Sequence, residues 1–255
     1  MLVHSVRDKV RTLSRELFPR KRWRLIFTRS AEETASSFRS RLVDAAIVDL
    51  RNPDDATWSA ASLAAEFPST PFFALLPARP SDGATLSRCV TCGCADFIVE
   101  GVDEPIARDL VGARGFAGRF RSAISGAAAA LGLATPLQQR AWQVIISHAG
   151  MPVTTDVLAD SLGLSREHLS RKFAASGGAN LKRIIDLVRI VAAAELAKNP
   201  GLDVRDVARI LGFASSSHLA VAAARISGTR SASLARLRTV DLIERFSQGR
   251  TRSRA

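Results

Sequence analysis

The sequence predicts two domains of different class, an α/β domain followed by an all-helical one, on three observations. Continuous apolar strand-like runs alternate with amphipathic helical stretches over residues 1–112. Strand signals vanish from residue 137 onward. Within that second part ADSLG at 159–163 recurs as ARILG at 208–212, each followed by a short turn, a serine and His-Leu. A length of 255 residues suits two ordinary domains, and 47% hydrophobic content supplies packed cores and excludes disorder as a global description.

Taken in order, MLVHS is a short apolar opening strand, and VRDKVRTLSRELF follows with Val6, Val10, Leu13 and Leu17 at helical spacing. RWRLIFT is a strand, and SAEETASSFRSR opens a helix with Ser30 as N-cap and Glu33 three residues later. AAIVDL is a near-continuous apolar strand that ends at Asp49. DATWSAASLAAEF is a helix closed by PSTP, FFALL a strand, SDGATLSRCVTCG a helix and ADFIVE the last strand. Apolar strands between amphipathic helices predict a parallel sheet covered on both faces, and five such units predict a doubly wound, flavodoxin-like fold. Residues 103–132 read as one long helix, weakened by Gly112, Gly115 and Gly118, that extends into a linker. The expected division is therefore 1–112 for the first domain, 113–136 for a helical linker, 137–238 for the second domain and 239–255 for a basic tail.

The formal charge of +12 is uneven. Residues 137–240 hold 14 Lys and Arg against 7 Asp and Glu, whereas residues 1–100 hold 14 against 12. The excess sits in the second half, as expected if that half meets a polyanion. Cys89, Cys92 and Cys94 form a C-x-x-C-x-C run. A closed zinc site takes four ligands and no His lies nearby in sequence, so small packing residues are the first expectation, with a metal site and a redox switch as alternatives. No H-E-x-x-H, P-loop or G-x-S-x-G is present, and GARGFAG does not follow a strand. The expectation is no enzyme activity and no cofactor. No apolar run approaches the roughly 20 residues that span a bilayer, and the start has no signal-peptide pattern, so no membrane partner and a cytoplasmic location are expected.

The repeat in the second half has a specific physical form. A small residue (Ala159, Ala208) lets a following helix pack close, and a glycine (Gly163, Gly212) gives the turn its backbone freedom. In SREHLSRKF, Ser165 is a good N-cap and Leu169 and Phe173 face inward, which leaves Arg166, Glu167, His168, Arg171 and Lys172 on the outside. Between the units NLKRIIDLVRIVAAAELAK reads as a helix of about 20 residues, a rod of about 30 Å. Successive major grooves on one face of B-DNA lie about 34 Å apart. On these motifs residues 137 to about 238 resemble the DNA-binding domain of AraC/XylS-type transcriptional regulators. The resemblance implies two helix-turn-helix units that enter adjacent major grooves of double-stranded DNA. It departs after SSSHL: Val221 and Ala223 stand where a polar or basic residue and a phenylalanine are usual, and Ser231 stands where proline is usual. Only Ser215, Ser216, Ser217 and His218 remain near the start of the second recognition helix. The first unit is therefore expected to make most base contacts and the second to position the chain. His168 and His218 have the alternative of satisfied structural histidines.

The amino-terminal half resembles a response-regulator receiver, on Asp49 with Pro53 after the third strand and on GCADFIVE before the last helix. Phosphoryl transfer to Asp49 would need a magnesium ion to offset charge on the oxygens. Receivers hold that ion with an acidic pair; here the positions are His4 and Ser5. Pro77 replaces a hydroxyl residue and Glu100 replaces a lysine. Asp49 is thus expected to be a degenerate phosphoacceptor in a pseudo-receiver. The function expected is a sequence-specific transcriptional regulator, with double-stranded DNA, RNA polymerase and a second copy of the chain, paired through the amino-terminal domain, as partners. The alternatives are a nucleoid-type or accessory DNA-binding protein of low specificity, and a response regulator phosphorylated on Asp49.

Overall fold

Successive strand residues point to opposite faces, and in the first part of the chain both faces are buried. Leu2, Val48, Phe72, Ala74 and Leu76 enter one cluster, with Phe38 and Trp58 from the covering helices and Phe67 from the segment before β4. Val3, Ile47, Phe73, Leu75 and Ile98 enter the other, with Val10, Phe18 and Val111. The computed structural model describes residues 1–77, 79–175 and 179–252. The chain divides into two compact units, Met1–Arg119 with Asn199–Leu202, and Phe120–Lys198 with Asp203–Ala255.

In the first unit, β1 (Leu2–His4), β2 (Ile26–Thr28), β3 (Ala46–Asp49), β4 (Phe72–Leu76) and β5 (Asp96–Val99) form one sheet in the order β2-β1-β3-β4-β5. All neighbours are parallel, with Val3 opposite Phe27 and Ile47, and Leu75 opposite Ile98. This is the flavodoxin-like order, whose reversal point lies between β1 and β3. α1 (Asp8–Leu17), α2 (Ala31–Ser40), α3 (Asp55–Ser62) and α4 (Gly83–Cys92) connect the strands, and α5 (Glu104–Arg114) follows β5. The Ser30 hydroxyl accepts the Glu33 N–H at 3.1 Å, the cap expected of it. The Glu33 carboxylate reaches the Arg29 N–H at 2.8 Å, one residue earlier than a capping box requires. α1 starts later than the spacing suggested: Val6 precedes it and is 67% exposed, while Val10 is buried. Cys89 is buried in the core, with Cys92 and Cys94 packed against it. All three thiols are free.

The stretch 103–132 is not one helix. α5 stops before Gly115, α6 runs Phe116–Ser125 and α7 Ala127–Ala130. Asp44 imposes the break: its carbonyl takes the Phe116 N–H at 2.8 Å and its carboxylate takes the Ala117 N–H at 2.6 Å. The orphan donors at the start of a helix are thereby satisfied. α6 and α7 occupy the expected linker, and the division into units falls inside α6.

The second unit is helical: α8 (Pro136–Ser147), α9 (Thr155–Ser161), α10 (Arg166–Ala175), α11 (Leu181–Leu196), α12 (Val204–Ile210), α13 (Ser216–Ser227) and α14 (Thr239–Arg252). α11 is 16 residues long, about 24 Å at 1.5 Å per residue and shorter than the rod expected. Eleven of its residues are buried, with Lys182, Arg183, Asp186, Arg189 and Glu195 less so, and it serves as the central helix of the unit. Trp142 is fully buried and its indole N–H donates to the Ser125 carbonyl at 3.2 Å. Residues 239–255, expected as a basic tail, begin instead with α14. Leu242, Ile243 and Phe246 of α14 are buried, and the Arg183 guanidinium lies 5.1 Å from the Phe246 ring centroid. Their i, i+1, i+4 spacing supplies the apolar stripe that attaches a basic helix to a core. Residues 253–255 of the expected tail lie outside the described residues.

Candidate functional site

In the second unit the two repeated segments fold alike. Ala159 and Ala208 are buried at the helix–helix contact. Gly163 and Gly212 have φ of 67° and 65°, left-handed values that favour glycine. The Leu164 N–H returns to the Ala159 carbonyl at 3.0 Å, and the Phe213 N–H returns to the Ala208 carbonyl at 2.8 Å. These are the same helix-ending bond in both units. Serine then starts the next helix in each. Ser165 Oγ accepts the His168 N–H at 3.3 Å, and Ser215 Oγ accepts the His218 N–H at 3.2 Å.

The surfaces the two units present differ. Leu169 and Phe173 are fully buried, as their spacing required. Arg166, Glu167, Arg171 and Lys172 are exposed and His168 is half-buried, with its Nδ1 3.4 Å from an Arg171 nitrogen. Arg166 lies 3.9 Å from Asp156, both well exposed, a pair that contributes little. α10 therefore gathers three cations and one carboxylate on one helix. On α13, Ser217 and His218 are exposed and Ser216 half-buried, followed by Val221 at 66% exposure and buried Ala222 and Ala223. The cation of that helix, Arg225, is 2.5 Å from Asp186 of α11. Arg189 of α11 fixes the second turn: its guanidinium donates to the Leu211 carbonyl at 3.0 Å and lies 4.0 Å from the Phe213 ring centroid. Burial lowers the pKa of Arg189 from its ordinary value.

A second site lies in the first unit, at the carboxyl end of β1 and β3. Asp49 is 8% exposed, and its oxygens are occupied. Ser5 Oγ donates to Oδ2 at 2.6 Å, Arg7 Nε to Oδ2 at 2.6 Å and Arg7 Nη2 to Oδ1 at 2.5 Å. The Arg51 N–H donates to Oδ1 at 3.3 Å. Glu100 stands beyond: Arg7 Nη2 is 3.3 Å and Arg51 Nη2 2.8 Å from its Oε2, and Lys9 Nζ is 3.9 Å from Oε1. The bidentate bond to Asp49 is the largest of the causes that raise the pKa of Arg7. His4, expected beside Ser5 in this site, instead faces Thr28 and Thr34 at 3.3 Å. Burial lowers the pKa of His4 despite the attraction of Asp49, Asp54 and Glu33.

The sequence brought Asp49, Ser5 and Glu100 to this place but missed Arg7 and Arg51. Glu100 is a compensated charge: the Arg7 guanidinium bridges it and Asp49, and Arg51 holds Glu100 with its guanidinium and Asp49 with its backbone N–H. The available signal was position: Arg7 follows the end of β1 by three residues and Arg51 follows Asp49 by two, so both leave the sheet at its switch point. Among the described residues no group of three or more His, Cys, Asp and Glu side chains is arranged to hold a metal ion.

Residues 158–236 match a family model described as a helix-turn-helix domain. No curated protein matches the chain. Among solved structures, the chain is similar to full-length FixJ from B. japonicum, with 12% identity, 87% of this chain and 94% of that one covered, and a TM-score of 0.38. It is also similar to a response regulator protein from Burkholderia pseudomallei, solved with a phosphorylated aspartic acid, calcium ion and citrate. There identity is 18%, 68% of this chain and 96% of that one are covered, and the TM-score is 0.35.

Proposed function

We propose that this chain is a transcriptional regulator that binds duplex DNA through two helix-turn-helix units and carries a receiver-like domain that does not take up phosphate. The observation that supports it most is the matched pair of units, each with a left-handed glycine, a serine N-cap and an outward first turn. They are joined to opposite ends of α11, α10 preceding it and α12 following it in the chain. A recognition helix enters the major groove with its N-terminal residues. Ser165 fixes the start of the first, Arg166 and Arg171 reach base edges or phosphates, Lys172 meets phosphate, and Glu167 and His168 complete the reading face. Ser215, Ser216, Ser217 and His218 offer short donors that suit backbone contacts better than bidentate base contacts. About 24 Å of α11 together with the turns at its two ends carries the units toward adjacent grooves.

Asp49 is proposed to be a structural carboxylate. A phosphoryl acceptor needs a free oxygen and a cation placed between it and the donor. Here Ser5 and Arg7 occupy the oxygens, and the cations are side chains fixed to Asp49 and Glu100. Incubation with a small phosphodonor and magnesium is expected to leave the intact mass of the protein unchanged and equal in response to that of Asp49→Ala. A mass increase seen only in the unsubstituted protein would establish the phosphorylated reading instead.

The DNA reading is tested by anisotropy titration of the full chain with labelled duplex against salt. Each phosphate that the protein no longer neutralises should lower the log–log slope by about 1, so Arg171→Ala with Lys172→Ala is expected to reduce the slope by up to about 2. A slope unchanged by that pair removes α10 from the interface. The apolar surface of α13 around Val221 favours one other reading, a DNA-binding protein of low base preference. A specific-to-nonspecific affinity ratio near one would select it.

A further inference from the structure

We infer that the first unit carries a binding site for a nucleoside polyphosphate, in a cavity where α1 and the turn after it meet edge strand β2. The cavity, half-open to solvent, has a volume of about 480 Å³ and is lined by Arg15, Arg20, Trp23, Arg24, Leu25 and Phe27, a size within the range of small-molecule sites. Nothing in the DNA-binding reading uses these residues.

Charge is the first argument. Residues 7–29 hold nine Lys and Arg against two Asp and Glu. That net of +7 equals the excess of the whole 137–240 stretch, and it disappears in the average over residues 1–100 because acidic residues elsewhere offset it. Among the described residues no carboxylate lies within ion-pair distance of Arg11, Arg15, Arg20 or Arg24, although Arg7, Lys9 and Arg29 of the same stretch are paired. One cavity cation is held by a ring: the Arg15 guanidinium lies 4.8 Å from the Phe27 ring centroid, with neighbouring Arg11 at 4.9 Å. A guanidinium stacked on a ring keeps its in-plane N–H fork available, and that fork matches phosphate oxygens two at a time.

The aromatic floor is the second argument. Trp23 and Phe27 are half-buried and packed on the core formed by Val3, Phe18 and Val111. Trp23 meets Phe18 edge-on, centroids 5.1 Å apart at 71°. Trp23 keeps some ring surface in the cavity, where a base can stack. The walls are also set in place before any ligand arrives. The Arg22 and Trp23 N–H groups both donate to the Pro19 carbonyl, at 3.0 and 3.1 Å, and the amino terminus donates to the Arg24 carbonyl at 2.9 Å. Three exposed arginines around two rings in a concave space of this size fit a ligand with several negative charges at one end and a flat base at the other. A duplex, too large to enter, could meet only the rim.

The test is calorimetric titration of the full chain with ATP, GTP, CTP and UTP, and with inorganic pyrophosphate as the probe that lacks a base. At least one nucleotide is expected to bind saturably and at least about tenfold more tightly than pyrophosphate, one stacked base being enough for that factor. Arg15→Ala with Arg20→Ala, both exposed positions, should weaken it by at least about tenfold. Trp23→Leu should bring nucleotide and pyrophosphate to within about threefold of each other, and Arg171→Ala with Lys172→Ala should leave nucleotide affinity unchanged. The proposal is overturned by no saturable binding below about 1 mM, by pyrophosphate binding as tightly as every nucleotide, or by affinity that survives the Arg15 and Arg20 substitutions. It is equally overturned if the α10 substitutions abolish nucleotide binding, or if the Arg15 and Arg20 pair weakens duplex binding while no nucleotide binds.

Discussion

Replacing Arg7 with Met keeps the aliphatic stem and removes the guanidinium that joins β1 to β3. Two charge-assisted bonds to Asp49 and one to Glu100 disappear with it. The side chains of Asp49 and Glu100 are only 5% and 6% exposed, so the carboxylates left behind cannot recover full hydration. Breaking a buried ion pair from one side costs about 3–5 kcal/mol. The Arg7 side chain is 25% exposed, and Ser5, the Arg51 N–H and the Arg51 guanidinium still hold the two acids. That lowers the expected cost for Arg7→Met to about 2–3 kcal/mol. Asp49→Asn removes the charge that makes the loss expensive, so the double variant should be more stable than the two single costs predict, by at least about 1 kcal/mol. Unfolding of a two-unit chain is not one transition. The suitable assay is hydrogen exchange of the β1 and β3 amides, which reads the first unit alone. A cost for Arg7→Met under about 0.5 kcal/mol, or single costs that simply add, would show that the guanidinium is a surface ornament and that the site is held by something else.

Further outcomes follow from other residues. Gly163→Ala places a methyl in open space at φ 67° and should cost about 1–2 kcal/mol of backbone strain. At Gly212 the same methyl would also lie 2.6 Å from Pro152 Cγ, so Gly212→Ala should cost more in chemical denaturation of the second unit; equal costs would contradict the packing described. Ser215→Ala removes the α13 N-cap and should cost about 1 kcal/mol, read by exchange of the α13 amides, whereas Ser217→Ala should change stability by less than about 0.5 kcal/mol. His4 has its pKa lowered by burial from 6.5, so as pH falls below that value the unfolded chain takes up a proton before the folded one. The stability His4 contributes is therefore full above 6.5 and is lost as pH falls toward its lowered folded value. The stability difference between the unsubstituted protein and His4→Gln should shrink between pH 7.5 and 5.5, and a constant difference would show that His4 does not charge there. Arg171→Ala should cost about 1–3 kcal/mol in specific DNA binding if it contacts a base edge, measured by competition against mismatched duplexes.

Much of this architecture was legible because it rests on local rules. Near-continuous apolar runs gave β1, β3 and β4, Ser30 with Glu33 marked the start of α2, and Ala-x-x-Leu-Gly marked both turns. Asp49 was placed at the end of its strand because AAIVDL can hardly be anything but a buried strand. The arginine partners of Asp49 were legible only from their position after β1 and β3, since Arg7 and Arg51 act across 42 and two residues of chain and residue type alone does not distinguish them from solvated arginines. Glu100, which replaces a lysine, is compensated by the same long-range pairing, through Arg7 and Arg51. The break at Gly115 depends on Asp44, 71 positions earlier in the chain, so a helix-period reading of 103–132 ran straight through it. α14 and the basic cavity failed for a different reason: averaging. The arginines near the terminus outweigh Leu242, Ile243 and Phe246 in composition, and a charge summed over a hundred residues conceals a +7 cluster within 23 of them.

The paired helix-turn-helix geometry is tested most directly by selecting bound duplexes from a random pool with the full chain and sequencing them. Two enriched half-elements are expected, with centres about 10 base pairs apart, one turn of duplex. The stronger base preference should fall in the half-element that disappears with Arg166→Ala and Arg171→Ala. An unenriched pool, or a single element indifferent to changes in both α10 and α13, would contradict the reading of these two helices as a matched pair on DNA.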